Sequence, residues 1–167
     1  MHIKTILFVS HCLLNPEVRA DGLSKPDVSI VEAVGELMSG HDVLLEQLPC
    51  PEFSFLGKRA KMTKDEYEKT AGFREHCSRL AQGVVKTLED FADIDRKIII
   101  GIARSPSCSL SKVYRGEKLV NEDGIFIEEI KKRIGKNIKF LEMKFLEIDY
   151  KNFVDSIKHL NRNLPLI

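Results

Sequence analysis

The chain has 167 residues, 43% of them hydrophobic and 31% charged, which suits one globular domain long enough to bury a genuine core. Its 26 lysines and arginines offset 25 acids, a formal net charge of +1, so no basic footprint points to nucleic acid. No apolar stretch approaches the roughly 18 residues of a membrane helix, and the short apolar N-terminus runs into Ser10 and His11 rather than a cleavage site, so the expectation is a cytoplasmic protein.

The first predicted element is a buried strand over Ile3–Val9, which stops at Ser10, His11 and Cys12. A helix is expected from Asp27 to Met38, where Ile30, Val31, Val34, Leu37 and Met38 share a face and Gly40 is the stop. A second strand, Val43–Leu48, runs into Pro49, Cys50, Pro51 and Glu52, and a loop holding Phe53, Phe55 and Leu56 follows. The basic cluster of Lys58, Arg59 and Lys61 reads as a solvated loop. Thr63 and Glu66 form a capping box that opens a long helix with Phe73, Cys77, Leu80, Ala81, Val84, Val85 and Leu88 on one face. Gly72 marks a point where that helix bends or begins, and Cys77 reads as core packing. A third strand, Ile98–Ile102, leads to Ser105, Ser107 and Cys108. A polar loop from Ser109 to Glu122, a helix from Asp123 to Ile134, a fourth strand over Ile138–Met143 and a last helix capped by Asp149 complete the chain.

Strands alternating with helices imply parallel pairing through right-handed crossovers. The expected architecture is α/β: a three-layer sandwich around a four-stranded parallel sheet of order 2-1-3-4, Rossmann- or flavodoxin-like, as a single domain over residues 1–167. In such sheets ligands bind beyond the carboxyl ends of the strands, where the winding direction reverses. Here that point lies between strands one and three, beside Cys12 and Cys108, with Cys50 on the neighbouring strand. Adjacent strands are about 4.8 Å apart, so three thiols meet on one rim.

In a cytosolic chain cysteines serve as metal ligands or catalysts more than as disulfides. Thiolates take soft metals, and iron–sulfur clusters usually take four of them. Three ligands leave one metal position open, the mark of chemistry rather than structure. Zinc held by the three cysteines and His11 is an alternative, although adjacent residues of an extended chain point opposite ways. A phosphatase-type nucleophile at Cys12 fits poorly, because Arg19 comes one residue too late and no glycine intervenes to present amides. No G-x-G-x-x-G follows the first strand. Glu52, two residues from Cys50, is placed to act as a base or simply to sit at a helix start. Ser105 and Ser107 can donate to substrate or bond their own turn. His11 reads as a proton donor or a prop, Asp21 and Gly22 as a turn, and Glu46 as a lesser base candidate of the same strand parity as Cys50.

The stretch Ser10–Asn15 with Arg19, Asp21 and Gly22, then Pro49–Glu52, then Ser105–Cys108, resembles the thiouracil desulfurase family, nearest to its shorter, desulfurase-related desulfidase branch. The resemblance implies an oxygen-sensitive [4Fe–4S] cluster, one easily lost from protein handled in air, on Cys12, Cys50 and Cys108. It implies a non-redox desulfidase whose open iron takes sulfur from a small thiolated compound such as a thionucleobase, leaving a carbonyl and sulfide. It also implies a functional glutamate at Glu52 and a functional serine at Ser105 or Ser107, with His11, Asn15 and Asp21 as candidates for binding substrate. Asn15 stands where the main branch favours glycine, and Ala20 replaces an aromatic residue, both at the border of the expected pocket. A carrier that stores sulfide or a cluster without turnover is the alternative from another class.

Overall fold

The computed structural model describes residues 3–24 and 42–144, with single positions at 35, 39 and 155. Apart from positions 35 and 155, the helices expected at 27–38 and from 149 onward lie outside these described residues. In chain order the elements are β1 (Thr5–Ser10), the helical turn α1 (His11–Leu14), β2 (Val43–Leu48), α2 (Pro51–Leu56), α3 (Lys64–Lys69) and α4 (Phe73–Asp90). There follow β3 (Arg96–Ile102), the hairpin β4 (Val113–Arg115) and β5 (Lys118–Val120), α5 (Ile125–Lys131) and β6 (Ile138–Met143).

The main sheet is parallel throughout, in the order β2-β1-β3-β6. This is the expected 2-1-3-4, its fourth strand being the sixth among the described residues. All six residues of β1 are buried, as befits a central strand covered on both faces. Ile98, Ile99, Ile100 and Ile102 continue that core on β3. Helix α4 buries Phe73, Cys77, Ala81, Val84 and Leu88, the expected face, and packs against α5, which buries Ile125, Phe126, Ile127 and Ile130.

Four expectations need correction. Phe53, Phe55 and Leu56 belong to α2, not a loop, because Pro51 presets the first helical turn and Cys50 caps it, until Gly57 at φ 71° ends it. The capping box does form, Glu66 Oε2 accepting the Thr63 amide at 2.7 Å, but the helix it opens, α3, stops at Lys69; the long helix α4 begins after Gly72 at φ 81°, one of the two outcomes expected at that glycine. The polar loop after Ser109 contains the β4–β5 hairpin, turned by Gly116 at φ 55°. The cluster around Arg59 is no solvated loop: Lys58 is exposed, yet Arg59 is buried.

Ion pairs tie the hairpin to the helices. Lys64, almost fully buried, meets Glu122 at 2.9 Å and Glu128, while Arg115 bridges Glu68 at 2.7 Å and Glu122 at 2.8 Å. Hydrogen bonds from Arg115 and Lys64 pull the Glu122 carboxyl from 4.5 to about 2. Burial raises Glu129, but Lys132, Arg133 and Arg74 outweigh it and bring it to about 2 as well. Both carboxyls release their protons more readily folded than unfolded. Their contribution is therefore present in full above pH 4.5 and is lost as the pH falls towards 2. The urea midpoint should be flat at neutral pH and fall across that interval; a flat midpoint down to pH 2 would contradict the assignment.

Candidate functional site

The carboxyl ends of β1, β2 and β3 each deliver one cysteine to the same edge of the sheet. At the first, Ser10 Oγ donates to Ile100 O at 2.8 Å and ties the ends of β1 and β3 together. The chain then turns at once into α1. Because it is helical there, His11 and Cys12 are not splayed apart as extended residues would be, and both line one cavity.

At the second end, Cys50 is the N-cap of α2, its Sγ accepting the Phe53 amide at 3.4 Å. At the third, the loop Ala103–Lys112 folds back over the strand end. A Cβ at Gly101 would fall 2.4 Å from Cys108 O, and one at Gly124 would fall 2.4 Å from Ser107 O. Only glycine permits approaches that close. The carbonyls of Pro106 and Ser107 accept the Ile125 and Phe126 amides at 2.9 and 3.0 Å, so the loop satisfies the first free donors of α5. Ser105 Oγ accepts the Cys108 amide at 3.0 Å, and Arg104 takes a left-handed φ of 63° to start the loop.

All four cysteines are free. Burial, then the neighbouring Cys50, pushes the Cys12 thiol up to about 12, with Arg19 opposing. Burial and Glu52 raise Cys50 despite the Phe53 amide, and burial with Cys50 and Cys12 raises Cys108 well above the usual thiol range. The three thiols thus feel one another. A metal arriving here must displace their protons. Among the described residues no three His, Cys, Asp or Glu side chains close on a single ion.

The cavity measures about 1080 Å³, enough for a prosthetic group and a small ligand together. Cys12, Cys50, Cys108, His11, Glu52 and Ser105 all line it. Arg19, Lys61, Arg104, Lys112 and Lys144 line it too, a positive surplus suited to anionic contents. Ala20 lies on its wall, whereas Asn15, Asp21, Ser107 and Glu46 do not. Asn15 caps the turn at Pro16–Val18 by accepting the Glu17 amide at 3.1 Å, and the exposed Asp21 donates its amide to Arg59 O at 2.8 Å. Ser107, fully buried, donates to Glu52 Oε1 at 2.9 Å, with Ser105 Oγ 3.4 Å from the same oxygen. Cys77 is fully buried in the core, as its helix position implied.

Sequence reasoning missed what holds Glu52. Its Oε2 accepts Arg59 Nη2 at 2.6 Å, Arg59 Nε at 3.2 Å and the Tyr67 hydroxyl at 3.1 Å. Burial and the neighbouring Glu52 raise the Tyr67 phenol. Arg59 also donates to Val18 O at 2.9 Å, binding the segment after Cys12 to α2. The available signal was an arginine seven residues beyond Glu52, within a charge cluster that looks like any solvated loop.

A family model described as 2-thiouracil desulfurase matches residues 7–139. An uncharacterized protein of Methanocaldococcus jannaschii is 33% identical over 162 residues, which is 94% of this chain and 97% of that protein. Among solved structures, a [4Fe-4S]-dependent thiouracil desulfidase, TudS, matches with a TM-score of 0.55 over 94% of this chain and 99% of that one. At 19% identity that likeness is one of fold.

Proposed function

This chain belongs to the 2-thiouracil desulfurase family, and from that premise we propose that it is a desulfidase: it removes sulfur as sulfide from a small thiolated compound, with a [4Fe–4S] cluster on Cys12, Cys50 and Cys108. The observation that carries this reading is the delivery of three free thiols, from three adjacent parallel strands, into one cavity with a surplus of basic residues. When bound, the cluster supplies a soft iron position, unfilled by protein, with affinity for sulfur over oxygen. The reaction exchanges a carbon–sulfur double bond for a carbon–oxygen one. Water supplies the oxygen and both protons of the departing hydrogen sulfide, so no electron donor is needed.

The chain's own residues handle the water and the charge. Arg59 and Tyr67 fill Glu52 Oε2, which fixes the carboxylate and leaves Oε1, beside Ser105 and Ser107, as the atom to take a proton from water. His11 lines the same cavity, its basicity lowered by burial, and faces the substrate as a hydrogen-bond partner. Arg19 and Lys61 favour the anionic thiolates.

Anaerobically reconstituted protein should carry about four irons per chain, absorb broadly near roughly 400 nm, and release sulfide from one or more members of a panel of thiolated heterocycles. Glu52→Gln should keep the colour while lowering sulfide release by about 100-fold, the usual scale for a general base. Equal release from both proteins would remove Glu52 from the chemistry, and a coloured protein that releases none from any compound would favour a carrier.

A further inference from the structure

We propose that Glu142 is a positioning residue for this site: it holds the downstream half of the Ala103–Lys112 loop to the sheet and so sets where the Cys108 thiol stands. The inference rests on the reading of Cys108 as a ligand. It arises from the serines at alternate positions of the loop: Ser105, Ser107, Ser109 and Ser111.

Two carboxylates from different strand ends share those serines. Glu52 takes the first pair, at 3.4 and 2.9 Å. Glu142 takes the second. Its Oε1 accepts Ser111 Oγ at 2.7 Å, and its Oε2 accepts the Leu110 amide at 2.7 Å and lies 3.1 Å from Ser109 Oγ. Cys108 sits between the two clamps, flanked by Ser107 and Ser109, both fully buried.

The sheet explains why Glu142 can reach. It is the penultimate residue of β6 and pairs in register with Gly101, against which Cys108 O packs. The next residue, Met143, accepts the Ala103 amide at 2.7 Å, so the same strand end also anchors the start of the loop. Thus β6 carries no cysteine, yet its end fixes the position of the third one. Without Glu142 the Leu110 amide and the Ser111 hydroxyl lose the acceptor they share, while Ser109 Oγ keeps Lys112 O at 2.7 Å, which favours local opening downstream of Cys108. Glutamine keeps one carbonyl acceptor and gains a donor that a serine hydroxyl can meet, so it should restore much of the clamp.

Residue-resolved alkylation with iodoacetamide of the full-length chain, after chelation of its metal, tests this. In Glu142→Ala, Cys108 should react at least about tenfold faster, while Cys12, Cys50 and the core Cys77 stay within about twofold and Glu142→Gln stays within about threefold of wild type at Cys108. In the anaerobically loaded protein, Glu142→Ala should lose its visible absorption to a chelator at least about tenfold faster, with Glu142→Gln near wild type. Three results would overturn the proposal: an unchanged Cys108 rate, equal acceleration at all four cysteines, or a glutamine variant matching alanine, which would mean charge rather than clamping. If Glu142→Ala does not fold, Glu142→Asp and Ser111→Ala should each give a smaller rise confined to Cys108, and no rise in either overturns it. A wild-type chain that takes up no iron would instead sink the proposed function, while the alkylation pattern still judges Glu142.

Discussion

Cys50→Ser should give a folded, colourless protein whose sulfide release falls by at least about 1000-fold, because ligands acting as one unit fail together. The substitution separates two jobs that Cys50 does at once. As the N-cap of α2 its sulfur accepts the Phe53 amide at 3.4 Å, and serine is a better cap than cysteine. The helix therefore survives, and thermal unfolding should shift little. As a proposed ligand, however, serine offers a hard hydroxyl that binds iron weakly and holds its proton far above neutral pH. Cys12→Ser and Cys108→Ser should lose colour equally, with some added instability at Cys108, where a hydroxyl replaces a buried thiol, and less at the half-buried Cys12. Full iron content and turnover in Cys50→Ser would end the three-thiolate reading.

The second large effect is on stability. Arg59→Met should lower the melting temperature by about 10 °C, because it leaves the Glu52 carboxylate buried without its partner. Breaking a buried ion pair costs about 3–5 kcal/mol, and in a domain of this size each kcal/mol is worth about 2–4 °C. Arg59 does more than neutralise charge: it donates to Glu52, Tyr67 and Val18 together, joining α2, α3 and the turn after Cys12. Methionine keeps much of the stem packing and removes only the donors. Adding Glu52→Gln to Arg59→Met should recover part of the loss, since a neutral amide is cheaper to bury than an unpaired carboxylate. A drop of less than about 2 °C in the single variant would mean that water reaches Glu52 and that the pair is no anchor.

These two outcomes divide along the line between what the residues announce and what folding hides. The strand-end cysteines were legible because each lies next to its own signal: the apolar runs Ile3–Val9, Val43–Leu48 and Ile98–Ile102 need no partner to be read as strands. The hairpin after Ser109 was not, because two three-residue strands bearing Lys118 and Arg115 carry too little apolar pattern to stand out. Glu52 could be singled out from its distance to Cys50, yet its environment could not. Its donors come from Arg59 and Tyr67 on one side and Ser107 on the other.

By itself, the sequence determined the order of the four strands of the main sheet, their parallel pairing and the meeting of Cys12, Cys50 and Cys108 at one cavity. Periodicity, caps and breakers act within a few residues, and crossover handedness then leaves few sheets to choose from. Only the tertiary structure decided that Arg59 is buried, that Ser107 faces Glu52 rather than the cavity, and that Glu142 closes on the Cys108 loop. Whether a polar side chain is solvated or locked inward depends on which donors and acceptors the fold brings beside it. Those partners lie up to 55 residues from Glu52 and 33 from Glu142, beyond the reach of any local pattern.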